Sequence, residues 1–116
     1  MPFCNEEEFS WIEPPGHVRG YSRYLVGPHS GSKYFDFRTS SYPTGGRVDP
    51  HVHEVAEQVY YFISGTGRAL CGEETRTVAA GDVMFVPAGM VHGLECTSEE
   101  DLKFVVVTTP PDDIAR

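Results

Sequence analysis

The sequence predicts an all-β domain, and three observations predict it. Seven Phe, six Tyr and many Val are interrupted by 12 Gly and 9 Pro, which suits short strands and tight turns and removes the unbroken runs that long helices need. Short β-type runs then recur at regular spacing between turn signals, the pattern of a sandwich or a small closed barrel. No useful window shows a helical period. At 116 residues the chain is one domain's worth, able to withdraw roughly two-thirds of its unfolded surface from water.

Residues 1–17 carry an acidic patch, Glu6-Glu7-Glu8, and the breaker Pro14-Pro15-Gly16, with Trp11 and Ile12 between them. They read as an arm that docks its aromatics on the domain or on a second subunit. Residues 20–26 (GYSRYLV) read as a strand, and Gly27 to Ser32 as a turn-rich loop in which His29 is solvated. Over 33–40 (KYFDFRTS), Phe35 and Phe37 share one face and Asp36 and Arg38 the other. Alternation alone does not say which face looks inward. Tyr42-Pro43-Thr44-Gly45-Gly46 then turns the chain into the stretch 45–65, GGRVDPHVHEVAEQVYYFISG.

Within that stretch His51 and His53, two apart on an extended chain, project into one space while Val52 points away. That is a chelating geometry. Further along, Gln58 shares a face with Tyr60 and Phe62, whereas Glu57 goes with Val59, Tyr61 and Ile63. After Gly65, Thr66-Gly67 reads as a hairpin turn, and two short strands flank Gly72-Glu73-Glu74. Asp82 to Val86 (DVMFV) reads as a buried strand stopped by Pro87-Ala88-Gly89, and Met90 to Cys96 as a further extended run. The acidic loop 97–101 precedes the most apolar strand, 102–107, and Pro110-Pro111 ends the ordered fold, leaving Asp112 to Arg116 expected to fray.

The net charge is −8 and the only lysines are Lys33 and Lys103, so the chain lacks the basic stripe that nucleic acid or anionic lipid requires. The opening MPFCNEEEF has none of the zones of a signal peptide, and no apolar run reaches the length of a membrane span. A soluble, cytoplasmic protein is the expectation. Cys4, Cys71 and Cys96 are an odd, widely spaced set without C-x-x-C, which reads as reduced thiols rather than a disulfide framework or a zinc knuckle.

Two separated motifs resemble those of the cupin superfamily. The first runs glycine, five residues, His-x-His, three or four residues, glutamate, six residues, glycine; Gly45, His51, His53 and Gly65 fall on it, with Gln58 at the glutamate position. The second runs glycine, five residues, Pro-x-Gly, two residues, histidine, three residues, asparagine; Gly81, Pro87, Gly89 and His92 match, and Cys96 stands where the asparagine usually is. The resemblance implies a jelly-roll (double-stranded β-helix) barrel over 21–109, with an N-terminal arm over 1–20 and a tail over 110–116.

It also implies one divalent metal ion, Fe, Mn, Ni, Zn or Cu, held by His51, His53, Gln58 and His92, with Glu57 as the fallback for Gln58. Cys96, four residues past His92, is either a ligand-side thiol or a small buried hydrophobe. Arg38, Arg47 and Arg68 are candidate carboxylate clamps, with a surface position as the default. Tyr60, Tyr61 and Phe62 are first of all core or interface residues. Three imidazoles and an amide leave a bound ion its full double charge, where a glutamate would cancel one unit. The family parallel therefore suggests a small metalloenzyme that isomerises, cyclises or eliminates on an oxygen-bearing small organic acid or sugar derivative. The alternatives are an iron-dependent dioxygenase and a non-catalytic sugar- or acid-binding cupin. Small single cupins commonly pair, so a homodimer with an anionic small-molecule ligand is expected.

Overall fold

The computed structural model describes residues 2–111; the expectation for Asp112 to Arg116 lies outside them. Ten strands follow in order: β1 (His17–Val18), β2 (Tyr21–Val26), β3 (Asp36–Tyr42), β4 (Arg47–His51), β5 (Glu57–Ser64), β6 (Gly67–Cys71), β7 (Glu74–Val78), β8 (Val83–Val86), β9 (His92–Cys96) and β10 (Leu102–Thr109). They form two five-stranded antiparallel sheets, β1-β4-β9-β6-β7 and β2-β3-β10-β5-β8, wrapped as a jelly roll.

The inward row of each central strand changes character along its length. On β10 it runs Leu102, Phe104, Val106, Thr108, and on β5 Phe62, Tyr60, Gln58. On β3 it runs Tyr42, Ser40, Arg38, Asp36, and on β9 Cys96, Leu94, His92. The register aligns these gradients: Leu102 opposes Tyr42, Phe104 opposes Phe62, and Thr108 opposes both Gln58 and Asp36. The barrel therefore has an apolar end and a polar end.

The apolar end is an aromatic cluster. Phe104 meets Tyr42 edge-on at 5.0 Å between ring centroids and Phe62 at 5.5 Å, separations at which aromatic pairs attract beyond their buried area. Gly65, at φ +76°, lets the chain pass so close to the Asp101 carbonyl that any Cβ would collide with it. That requirement explains the closing glycine of the first motif.

Three expectations change, and the fourth case, Cys96, settles as the small buried hydrophobe. Thr66-Gly67 is not a hairpin turn, because β5 and β6 belong to different sheets and the chain crosses between them there. β8 is an edge strand, with Met84 and Val86 buried but Val83 and Phe85 out in solvent. Arg38 is buried rather than superficial, since the polar face of β3 is the one that looks inward. Cys96 shares the inward face with His92 but sits in the apolar core, its thiol directed to the carbonyls of Ser98 and Glu100 at 3.6 Å each. It is a core hydrophobe. The arm, for its part, docks on its own domain: Ile12 pairs with Ser22 and the Arg23 guanidinium lies 4.1 Å from the Trp11 ring centroid.

Candidate metal centre

The polar end gathers three histidines from two adjacent strands and the loop that follows the first. His51 ends β4, His53 follows in the loop, and His92 begins β9 directly opposite His51. One ligand atom from each lies within 4.8 Å of the others, and the ring centroids are 5.0, 4.2 and 5.3 Å apart.

A bulge aims His51. Val48 opposes Leu94 and His51 opposes His92, so β4 spends three residues where β9 spends two. Strict alternation from the buried Val48 would turn Pro50 inward and His51 outward; the extra residue reverses that parity. Pro50 tolerates the irregular pairing because it has no N–H to lose. Gly93 makes room for it: a Cβ there would lie 3.2 Å from the Pro50 nitrogen and 3.3 Å from the Val48 carbonyl oxygen.

The outer ring atoms are held by backbone. The Asp49 carbonyl is 2.9 Å from His51 Nδ1 and the Met90 carbonyl is 3.1 Å from His92 Nδ1. With the proton on Nδ1, each Nε2 keeps its lone pair. His92 is 1% exposed, and its Nε2 is buried with no hydrogen-bond partner. Burial first, and then the charges of His51, His53 and Arg38, lower its pKa to about 4, against the raising effect of the Met90 carbonyl. His92 is thus neutral near pH 7, as a metal ligand must be. A buried acceptor with nothing to accept from, facing two further imidazoles, fits a metal ion.

Gln58 lies in the same end of the barrel, 3% exposed. Its Nε2 donates to Thr108 Oγ1 at 3.0 Å and its Oε1 accepts from the Tyr60 hydroxyl at 3.2 Å. The Tyr60 ring in turn lies 6.4 Å from that of His92, reaching across from the other sheet. Glu57, the fallback, is on the solvent face of β5, which removes it from the interior.

Beyond Gln58, Arg38 donates from Nη1 to the Tyr24 hydroxyl at 2.6 Å and from Nη2 to Thr108 Oγ1 at 2.9 Å, with Asp36 Oδ1 3.9 Å from its Nε. Arg47 instead pairs with Asp49 at 2.9 Å on the surface, and Arg68 is exposed. His17, which nothing in the sequence singles out, faces the interior from the two-residue β1 opposite Val48. Burial pushes its pKa below the ordinary value, with Arg38 and His51 adding to the effect. Thr108 and Tyr24 were equally silent in the sequence, because a Thr or Tyr in a strand carries no mark of the partner it will find.

The profile of the cupin domain matches residues 38–108, a span that contains both histidine motifs. The chain belongs to the cupin family. Among curated relatives of this cupin, an uncharacterized protein of Streptomyces coelicolor is 39% identical over 67 residues, 58% of this chain and 63% of that protein. The oxalate-binding protein of Thermotoga maritima is 34% identical over 71 residues, 61% of this chain and 59% of that one. Each match thus spans less than two-thirds of the relative.

Solved structures agree in fold. The polyketide cyclase RemF from Streptomyces resistomycificus superposes with a TM-score of 0.83 at 23% identity, covering 94% of this chain and 79% of that one. KdgF from Halomonas sp. gives 0.83 at 21% identity, covering 98% and 99%.

Proposed function

We propose that the chain is a small metal-dependent enzyme in which His51, His53 and His92, with Gln58 as fourth donor, hold one divalent ion. The observation that carries this reading is the buried, unpartnered Nε2 of His92 among three converging imidazoles. The Gln58 oxygen gives one lone pair to Tyr60 and retains another for a metal. Imidazole-rich donors suit Fe, Ni, Cu and Zn better than Mg or Ca.

A bound divalent ion supplies Lewis acidity toward a carbonyl or hydroxyl oxygen, which acidifies a neighbouring proton. The remaining work falls to the chain's own side chains. Arg38, pinned by Tyr24 and Thr108 and paired with the buried Asp36, holds Thr108 in place behind the cup. Burial and the Met90 carbonyl keep His92 neutral and oriented. Tyr60 and Thr108 fix the amide of Gln58. Isomerisation, cyclisation or elimination on a small organic acid or sugar derivative is the chemistry this set supports. The free thiols of Cys4, Cys71 and Cys96 suit the reducing cytoplasm, and two chains are expected to act as a pair.

A second reading, a non-catalytic acid-binding cupin, is favoured by the relative whose name is oxalate-binding protein. Metal analysis of protein purified without chelator, with oxalate titrated calorimetrically, separates the two. The enzyme reading expects close to one ion per chain, none in His51→Ala/His53→Ala, and oxalate binding lost with the metal. Undiminished oxalate binding by that double variant would sink it. Gln58→Glu should retain metal while altering turnover; unchanged metal content and turnover would remove Gln58 from the ligand set.

A further inference from the structure

Both methionines that follow Met1 in the chain, Met84 and Met90, line one cavity together with Cys71, one of the three cysteines. The cavity, of about 670 Å³, lies between β7 and β8, the edge strands of the two sheets. None of the three histidines of the metal centre lines it. Within it the Cys71 Sγ is 3.5 Å from the Met90 Sδ and 3.7 Å from the Phe85 carbonyl oxygen. Phe85 is the β8 neighbour of Met84, so the thiol already reaches from β6 to the strand that carries the second thioether.

The backbone holds the two close sulfurs together. Cys71 closes β6, between Glu74 of β7 and His92 of β9. Gly72, which follows it, donates its N–H to the Val91 carbonyl at 2.8 Å, and Met90 donates its own to that of Pro87 at 3.2 Å. The turn at Gly72 and the loop that carries Met90 are thereby tied to each other. The thioether lies across the glycine, where a Cβ would stand 3.3 Å from the Met90 Sδ. One side stays open to solvent, since Cys71 is half-buried and Met90 is 36% exposed.

We propose that this cavity holds a second metal site, for a soft monovalent ion of the Cu(I) class, with Cys71, Met90 and Met84 as its donors. Thiolate and thioether sulfur select Cu(I), whereas imidazole suits Zn, Fe, Ni and Cu(II). The two sites of the chain therefore favour different ions. With metal–sulfur bonds of about 2.3 Å, the length zinc takes, sulfurs 3.5 Å apart straddle one ion at roughly 100°. Rotation of the flexible Met90 side chain widens that angle toward a trigonal arrangement that admits Met84. As the ion binds, copper–sulfur bonds form to Cys71 and to the two thioethers, the thiol proton leaves to solvent, and no electron changes hands. The rim attracts a cation: Glu73, Glu74 and Asp82 stand against one guanidinium, Arg76, itself 3.3 Å from Glu74.

Anaerobic titration of the full chain with Cu(I), against bicinchoninate as competing chelator, tests this in a Cys4→Ser background that removes the exposed thiol. About one Cu(I) per chain should be retained, and equally so in His51→Ala/His53→Ala. Cys71→Ser/Met90→Leu should weaken binding by more than the ~100-fold that disturbed ligand support costs. Met90→Leu and Met84→Leu, which keep the size of the side chain, should each weaken it too and serve should the double variant not fold. X-ray absorption at the copper edge should show sulfur scatterers alone. Failure to retain Cu(I), nitrogen scatterers, loss of the ion from folded His51→Ala/His53→Ala, or unchanged affinity in any folded sulfur variant overturns the proposal. Zinc uptake by the histidines, measured on the same variants, tells failure of this site apart from failure of that one.

Discussion

The two ends of the barrel are built on the same strands with the same alternation, yet they do opposite things. At one end the inward side chains are Leu102, Phe104, Phe62, Tyr42 and Cys96, buried and mutually packed. At the other they are Thr108, Gln58, Arg38, Asp36 and His92, buried just as deeply, with Arg38, Thr108 and Gln58 joined by directed hydrogen bonds. Non-directional burial favours collapse and tolerates imprecision. A polar network holds one geometry, because each donor left without an acceptor costs about 1–3 kcal/mol. The apolar end is therefore read as the source of stability, and the polar end as the part whose groups are kept in place for a ligand.

Phe104→Ala should break that division most severely. It removes a ring touching Tyr42, Tyr60 and Phe62 and should cost about 3–5 kcal/mol in urea unfolding, while the protein that remains folded still binds metal. Loss of metal binding by the folded fraction would show that the two ends are not separable.

The next largest effect is acid sensitivity of the metal-free protein. In the unfolded chain the His92 ring takes its proton near pH 6.5, and in the folded chain only near pH 4. Between those values the unfolded state holds more protons, so stability rises with pH. The contribution is fully present above about 6.5 and lost as pH falls toward 4, amounting to at most about 3 kcal/mol. Urea midpoints of apo-protein across that window should fall on acidification, and less so in His92→Asn. An equal fall in both would assign the effect elsewhere.

The smallest effect sharpens the comparison. Gly93→Ala puts a Cβ 3.2 Å from the Pro50 nitrogen and shifts the bulge that aims His51 by a few tenths of an ångström. Metal affinity should drop about tenfold, the low end of what disturbed ligand support costs, with little change in the urea midpoint. Unchanged affinity would mean that His51 finds its place without the bulge.

Much of the fold was legible because a strand's alternation is local. The grouping of Gln58 with Tyr60 and Phe62, opposite Glu57, Val59, Tyr61 and Ile63, follows from the chain alone, and the burial pattern of β5 repeats it. The mutual approach of His51 and His53 follows in the same way, and the spacing of two motifs was enough to bring in His92. The reading of Asp82 to Val86 as buried failed because an apolar run does not show that one of its faces is left uncovered by its own chain. Thr66-Gly67 failed because a glycine turn between strands looks alike whether the next strand pairs with the last or crosses to the other sheet.

By itself, then, the sequence determined which side chains travel together: two histidines on one side, a glutamine with two aromatics, Asp36 with Arg38. Only the tertiary structure decided which of those sets is inside. Alternation fixes that neighbours face apart, but inward and outward have no meaning until a second sheet closes over one face. For β3 that closure buried the charged set and created the Arg38, Thr108 and Gln58 relay. For β4 one extra residue at the bulge, matched by the absent side chain of Gly93 on the neighbouring strand, turned His51 toward His92.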